Sequence, residues 1–269
     1  MFNYIQDSLK LTNKYIILAT PLILFSLLSS LYILFSISGN LISLLFAIVL
    51  FGLMIGAFLS GWFFMIKTCV INPENTEPNT LIKEFPAGVG EYFLPVLGLM
   101  LNTVVISVLL IIISYFIGMK FIGDIGITPE ALTKGMESFT AMKAFLGGLS
   151  EEQLFKLNAW NLLLFFTMSV TYFLIMFYSP ALFLKEKNPF KAYFVGAKDL
   201  FSKKFLSNFG LFLILFVSYF ILSIFTTLFS ANIVMHFLFT LINFYYMVFV
   251  AVMIYDYYYK NFVKINEIV

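Results

Sequence analysis

Four long stretches of the chain carry no charged side chain: residues 15–66, 92–119, 157–184 and 205–255, of 52, 28, 28 and 51 residues. A charge at mid-bilayer costs ~2.5–3.5 kcal/mol on insertion scales, and a helix needs about 20 residues to cross the hydrocarbon. Each middle window therefore holds one span. Each outer window is long enough for a hairpin, with polar break points at Ser36-Ile-Ser-Gly-Asn40 and Phe229-Ser-Ala-Asn232. The pattern predicts an all-α polytopic bundle, a single integral membrane domain over 1–269. Its six spans fall at about 15–36, 41–66, 92–119, 159–184, 206–229 and 233–259.

Shorter patterns fill the gaps. Residues 1–14 place Phe2, Ile5 and Leu9 on one helical face. A cleaved signal peptide is excluded, because the apolar run exceeds a signal core of about 7–15 residues and a second span follows at once. In the long polar loop 120–158, Thr128-Pro129-Glu130 reads as a helix start and Gly147-Gly148 as a stop. Ser150-Glu-Glu-Gln153 is a capping-box pattern, predicting a second short helix before Trp160 opens span four. Residues 188–205 read as an amphipathic interfacial helix. Asn188 can cap it and Pro189 suits its first position, where a missing N–H has no helical partner. Phe190, Tyr193, Phe194, Ala197, Phe201 and Phe205 form one apolar stripe, expected to dock on the bundle or the inner leaflet. Lys191, Lys198 and Lys203 project elsewhere, toward water or headgroups.

Composition sharpens the class. Hydrophobic residues make up 61% and charged ones 11%, against roughly 45–50% and about 25% for a soluble domain. All sixteen basic residues are lysine, which removes planar bidentate phosphate recognition. With abundant Phe, Ile, Asn and Tyr, this points to an AT-rich bacterial genome. No basic patch lies outside the membrane-flanking loops, so a nucleic-acid partner is not expected. Cys69 and His236 each stand alone, which excludes an intrachain disulfide and an ordinary zinc site. No cofactor is expected. Metalloprotease, paired-aspartate and phosphate-loop patterns are missing, so neither is an enzyme.

Other residues carry specific expectations. Gly52, Gly56 and Ser60 form a small-residue stripe that lets another helix approach, within this chain or in a second copy. Trp62 and the run from Tyr255 to Lys260 read as interfacial aromatics. Asn102, Thr103, Thr167, Thr171 and Asn243 are uncharged polar groups at mid-membrane depth. They serve either as interhelical packing contacts or as the lining of a solute path.

Lysine placement orients the chain. With six spans, both termini share a side with the loops at 67–91 and 185–204. That side carries twelve lysines and the loop 120–158 four. The positive-inside rule puts the termini in the cytoplasm and that loop outside.

The pattern Asp7-Ser-Leu-Lys with Lys14-Tyr-Ile and Pro21, then Phe85-x-x-Gly88 and Tyr92-Phe-Leu-Pro95, then Tyr178-Ser-Pro-Ala181 with Lys185-Glu-Lys-Asn188 and the amphipathic Phe190–Phe205, resembles a bacterial group. These are six-span integral membrane proteins similar to the membrane domain fused to some glycerophosphodiester phosphodiesterases. The fused family carries a separate catalytic barrel for which this chain has no room. The resemblance implies a stand-alone membrane domain and transfers no catalytic residue. Two functions are expected on these grounds. The first is an accessory or scaffold protein of the bacterial inner membrane, with membrane lipids and another membrane protein as partners. The second is a permease or exporter for a small or lipidic solute.

Overall fold

In a computed structural model, described over residues 2–36, 41–128, 130, 133–134 and 137–264, every regular element is helical. The helices are α1 (Phe2–Lys14), α2 (Ala19–Ser36), α3 (Leu41–Ile71), α4 (Pro78–Leu81), α5 (Glu84–Phe121) and α6 (Phe139–Gly147). They continue with α7 (Glu151–Ile175), α8 (Tyr178–Leu184), α9 (Pro189–Leu200), α10 (Phe205–Leu228) and α11 (Ile233–Tyr258), which runs into a π turn, Tyr259–Val263. Six stretches are long and apolar enough to cross a membrane: Ile16–Leu34, Ile42–Ile71, Glu84–Phe121, Glu151–Leu184, Phe205–Leu228 and Ile233–Val263. The expected break at 36–40 lies mostly outside the described residues, as does Pro129 of the expected helix start.

Three boundaries differ from expectation, each for a local reason. The capping box Ser150/Gln153 forms, with Ser150 N–H donating to Gln153 Oε1 at 3.0 Å and Gln153 N–H to Ser150 Oγ at 3.2 Å. It opens the span itself, so the second short helix expected after Gly148 is the start of span four. Span four is broken after Ile175 instead. Pro180 has no N–H for the carbonyl of Met176 and its ring crowds that carbonyl, so α8 starts afresh. Span three starts earlier than expected, at Glu84, and runs through Gly88, Gly90 and Pro95.

The chain divides into two compact units, Met1–Asn102 with Leu174–Val269, and Thr103–Phe173. In the first, the core gathers at one end of the spans. It joins Tyr15, Leu18 and Leu22, the α3 residues Phe58, Trp62, Met65, Ile66, Cys69 and Val70, Tyr92 and Val96 of α5, and Val248, Val252 and Tyr255 of α11. Trp62 is covered by protein: its indole N–H donates to the Leu18 carbonyl at 2.9 Å, and its ring stacks on Phe58. Tyr255, Tyr257 and Tyr258 are likewise buried in protein instead of forming a belt. The second unit is held by Ser114 and Thr167, whose hydroxyls lie 2.6 Å apart, and by Trp160, which donates to the Gly123 carbonyl at 3.1 Å. Trp160 lies against Gly118, where a Cβ would sit 2.3 Å from its ring.

Candidate functional site

The polar chemistry of the first unit collects around the packed end of its spans, where α1, α8, α9 and the π turn form a collar. Helix α9 begins as expected. Asn188 Oδ1 accepts from the N–H groups of Phe190 and Lys191, at 3.0 and 3.2 Å, with Pro189 at the first position. It ends sooner, at Leu200. Residues 201–204 then form a turn that contains Lys203, so the expected helix 188–205 is shorter.

The docking face of α9 is also different. Ala192, Gly196 and Leu200 are buried at i, i+4 and i+8, against α8. A Cβ on Gly196 would lie 2.9 Å from the Phe177 carbonyl oxygen, so only glycine permits this approach. The large aromatics of the expected stripe face outward: Phe190, Phe194 and Phe201 are 58, 71 and 57% exposed. Tyr193 and Ala197 are half-buried, and Lys191, Lys198 and Lys203 are exposed. Helix α1 repeats the arrangement, with Ser8 and Thr12 buried while Phe2 and Leu9 are exposed.

A hydrogen-bonded network anchors α9 from behind. The Asp199 carboxylate accepts from Lys185 Nζ at 2.7 Å and from the Tyr258 hydroxyl at 2.5 Å. Asn208 donates to the carbonyls of Asp199 and Leu200, at 3.1 and 2.8 Å, and so satisfies the end of the helix. Its own carbonyl accepts from Tyr257 at 2.9 Å. Nearby, Lys260 pairs with Asp256 at 2.9 Å and with Asp7 at 3.1 Å, tying α1 to α11. Lys204 Nζ donates to Asn261 Oδ1 at 2.7 Å. On the α3–α5 side, Lys67 donates to the Tyr92 hydroxyl at 2.9 Å and Lys187 pairs with Glu91 at 2.5 Å.

The mid-membrane polar residues separate into small groups. Asn102 donates to the Tyr178 hydroxyl at 2.7 Å, and Tyr178 donates to the Pro189 carbonyl at 2.8 Å. Asn243 bonds elsewhere, to Thr226 Oγ1 at 3.1 Å and to the Phe239 carbonyl at 2.9 Å. Thr167 and Thr171 sit one turn apart in the second unit, Thr171 donating to the Thr167 carbonyl at 2.9 Å. The Thr103 carbonyl accepts from Ser107 at 2.8 Å. In the small-residue stripe, Gly56 faces Leu97 and Phe93 of α5, while Ser60 and Gly61 meet Gly88. Gly52 has open space around it.

Sequence reasoning missed Lys67, Glu91, Tyr92, Asp199 and Asp256 as a group. Lys67, Glu91, Tyr92 and Asp256 each end or begin an uncharged run, which is a signal, but Glu91 and Lys187 stand 96 residues apart and Asp199 and Tyr258 59. Comparison with protein-family models, with curated proteins and with solved structures finds no match to this chain.

Proposed function

We propose that this chain is a non-enzymatic scaffold of a bacterial cytoplasmic membrane, with both termini in the cytoplasm, whose collar engages the lipid of the inner leaflet. One observation carries the reading: α9 buries its small residues on the bundle and turns Phe190 and Phe194 outward, as the following turn does Phe201, with Lys191 and Lys198 beside them. Exposed aromatics flanked by lysines suit the boundary between acyl chains and anionic headgroups. The protein partners already found for Asn102 and Asn243 support packing over a solute path.

Two measurements test it in reconstituted vesicles and in cells. Spin labels at positions 191 and 194 should differ sharply, the label at 194 reporting lipid and the one at 191 reporting water. Equal water accessibility would make α9 an ordinary solvated helix. For orientation, Lys134→Cys should react with a membrane-impermeant thiol reagent in intact cells and Lys198→Cys should not. Both need Cys69→Ala as background. Cys69 is wholly buried in protein, so its silence says nothing about sidedness.

A further inference from the structure

Lys67 follows the first uncharged window and Glu91 precedes the second, so both mark the depth where hydrocarbon gives way to headgroups. Lys67 Nζ donates to the Tyr92 hydroxyl at 2.9 Å and lies 5.1 Å from the centre of the Tyr92 ring. Among the described residues it has no carboxylate in ion-pair contact. Glu91 is held instead by Lys187 at 2.5 Å, and Lys187 lies 5.3 Å from the same ring. Two ammonium groups thus converge on Tyr92 against one carboxylate, leaving one net positive charge. The ring is fixed, buried and stacked on Phe183 at 4.3 Å.

The donors available there define the ligand. An ammonium has three N–H groups, and Lys67 uses one on Tyr92; the tyrosine accepts that bond, and its own O–H is turned to the Glu91 carboxylate. Half-buried, Lys67 has given up part of its hydration, and its nearby counter-charge, Glu91, is paired to Lys187. Two lysines around one residual charge suit a singly charged oxyanion with several acceptor oxygens, which describes a phosphodiester. Leu94 lies one turn deeper on the α5 face of Glu91 and is 75% exposed, offering an acyl chain an apolar lane. We propose that Lys67 and Lys187, placed by the buried Tyr92, bind the phosphate of a singly charged anionic phospholipid.

This deepens the lipid-engaging reading and rests on it. Native mass spectrometry of the intact chain in mild detergent tests it, with phosphatidylglycerol, phosphatidylcholine or inorganic phosphate added. Wild type should retain phosphatidylglycerol about fivefold better than phosphatidylcholine, the factor that one lysine near an anionic headgroup supplies. Lys67→Gln should lose that preference, Glu91→Gln should increase it, and Lys191→Gln on α9 should leave it alone. If Lys67→Gln does not fold, the gain in Glu91→Gln carries the test. Retention in Lys67→Gln equal to Lys191→Gln, or no gain in Glu91→Gln, overturns the site. Displacement of the lipid by millimolar inorganic phosphate overturns the assignment to a lipid in favour of free phosphate. A label at 194 that still reports lipid while the Lys67 test fails would leave the scaffold reading standing.

Discussion

Along α3, Trp62, Met65, Ile66, Cys69 and Val70 are buried, whereas Ile42, Leu44, Leu45, Phe46 and Ile48 on the same helix are exposed. The contrast recurs along the stretch Ile16–Leu34, where Leu18 and Leu22 are buried and Leu27, Leu31 and Leu34 exposed. On α11, Val248, Val252 and Tyr255 oppose Val234, Phe237 and Leu238. Apolarity cannot explain which end packs, because both ends are rich in Leu, Ile and Phe. Close backbone approach at Gly88 and Gly196 marks the packed end, and several of its aromatics end in hydrogen-bonding groups. Tyr15 donates to the carbonyls of Pro73 and Thr76 at 2.8 and 2.9 Å, and Trp62 donates to that of Leu18. In a bilayer, lipid tails are as apolar as leucine, so burial alone gives helices no reason to associate. Steric fit and directed hydrogen bonds decide.

The largest test of that contrast truncates one ring at each end. Phe58→Ala, which removes the ring stacked between Phe25 and Trp62, should lower unfolding stability by about 3 kcal/mol. Phe237→Ala at the exposed end should stay within about 0.5 kcal/mol. Similar losses in detergent unfolding curves would mean that both ends pack.

Glycines give the next contrast. Gly88→Val should cost about 1–3 kcal/mol, because a Cβ there would sit 2.4 Å from Phe64 Cβ and 2.9 Å from the Ser60 carbonyl. Gly52→Ala meets nothing within 4 Å and should be neutral or stabilising by about 0.5–1 kcal/mol. A destabilised Gly52→Ala would show that a second chain or an unseen neighbour covers that face.

Asn102→Leu and Asn243→Leu should each cost only about 0.6 kcal/mol, the mean for hydrogen bonds within membranes. Tyr178 keeps its bond to the Pro189 carbonyl when Asn102 is lost. A variant that unfolds like wild type yet loses a transported solute in vesicle flux would restore the solute path. Smallest of all, Phe194→Ala should leave stability in detergent within about 0.5 kcal/mol, because that ring touches little of the bundle. A larger loss would place α9 the other way round.

Much of the architecture was legible without coordinates. The six apolar stretches follow from the cost of charge in hydrocarbon, which acts on each residue whatever its neighbours. The caps at Asn188 and Ser150 follow from donors and acceptors within three residues of each other. The faces of α1 and α9 were not legible. A hydrophobic stripe marks a side that avoids water, and at a membrane boundary either protein or lipid meets that need. Tertiary structure alone put Ala192 and Gly196 inward and Phe194 outward, because small residues let two backbones approach and large rings do not. It also brought Lys67 to Tyr92 and Lys187 to Glu91, pairs whose separations of 25 and 96 residues carry no local signal. Sequence fixed what avoids water; only the fold decided what meets lipid and what meets protein.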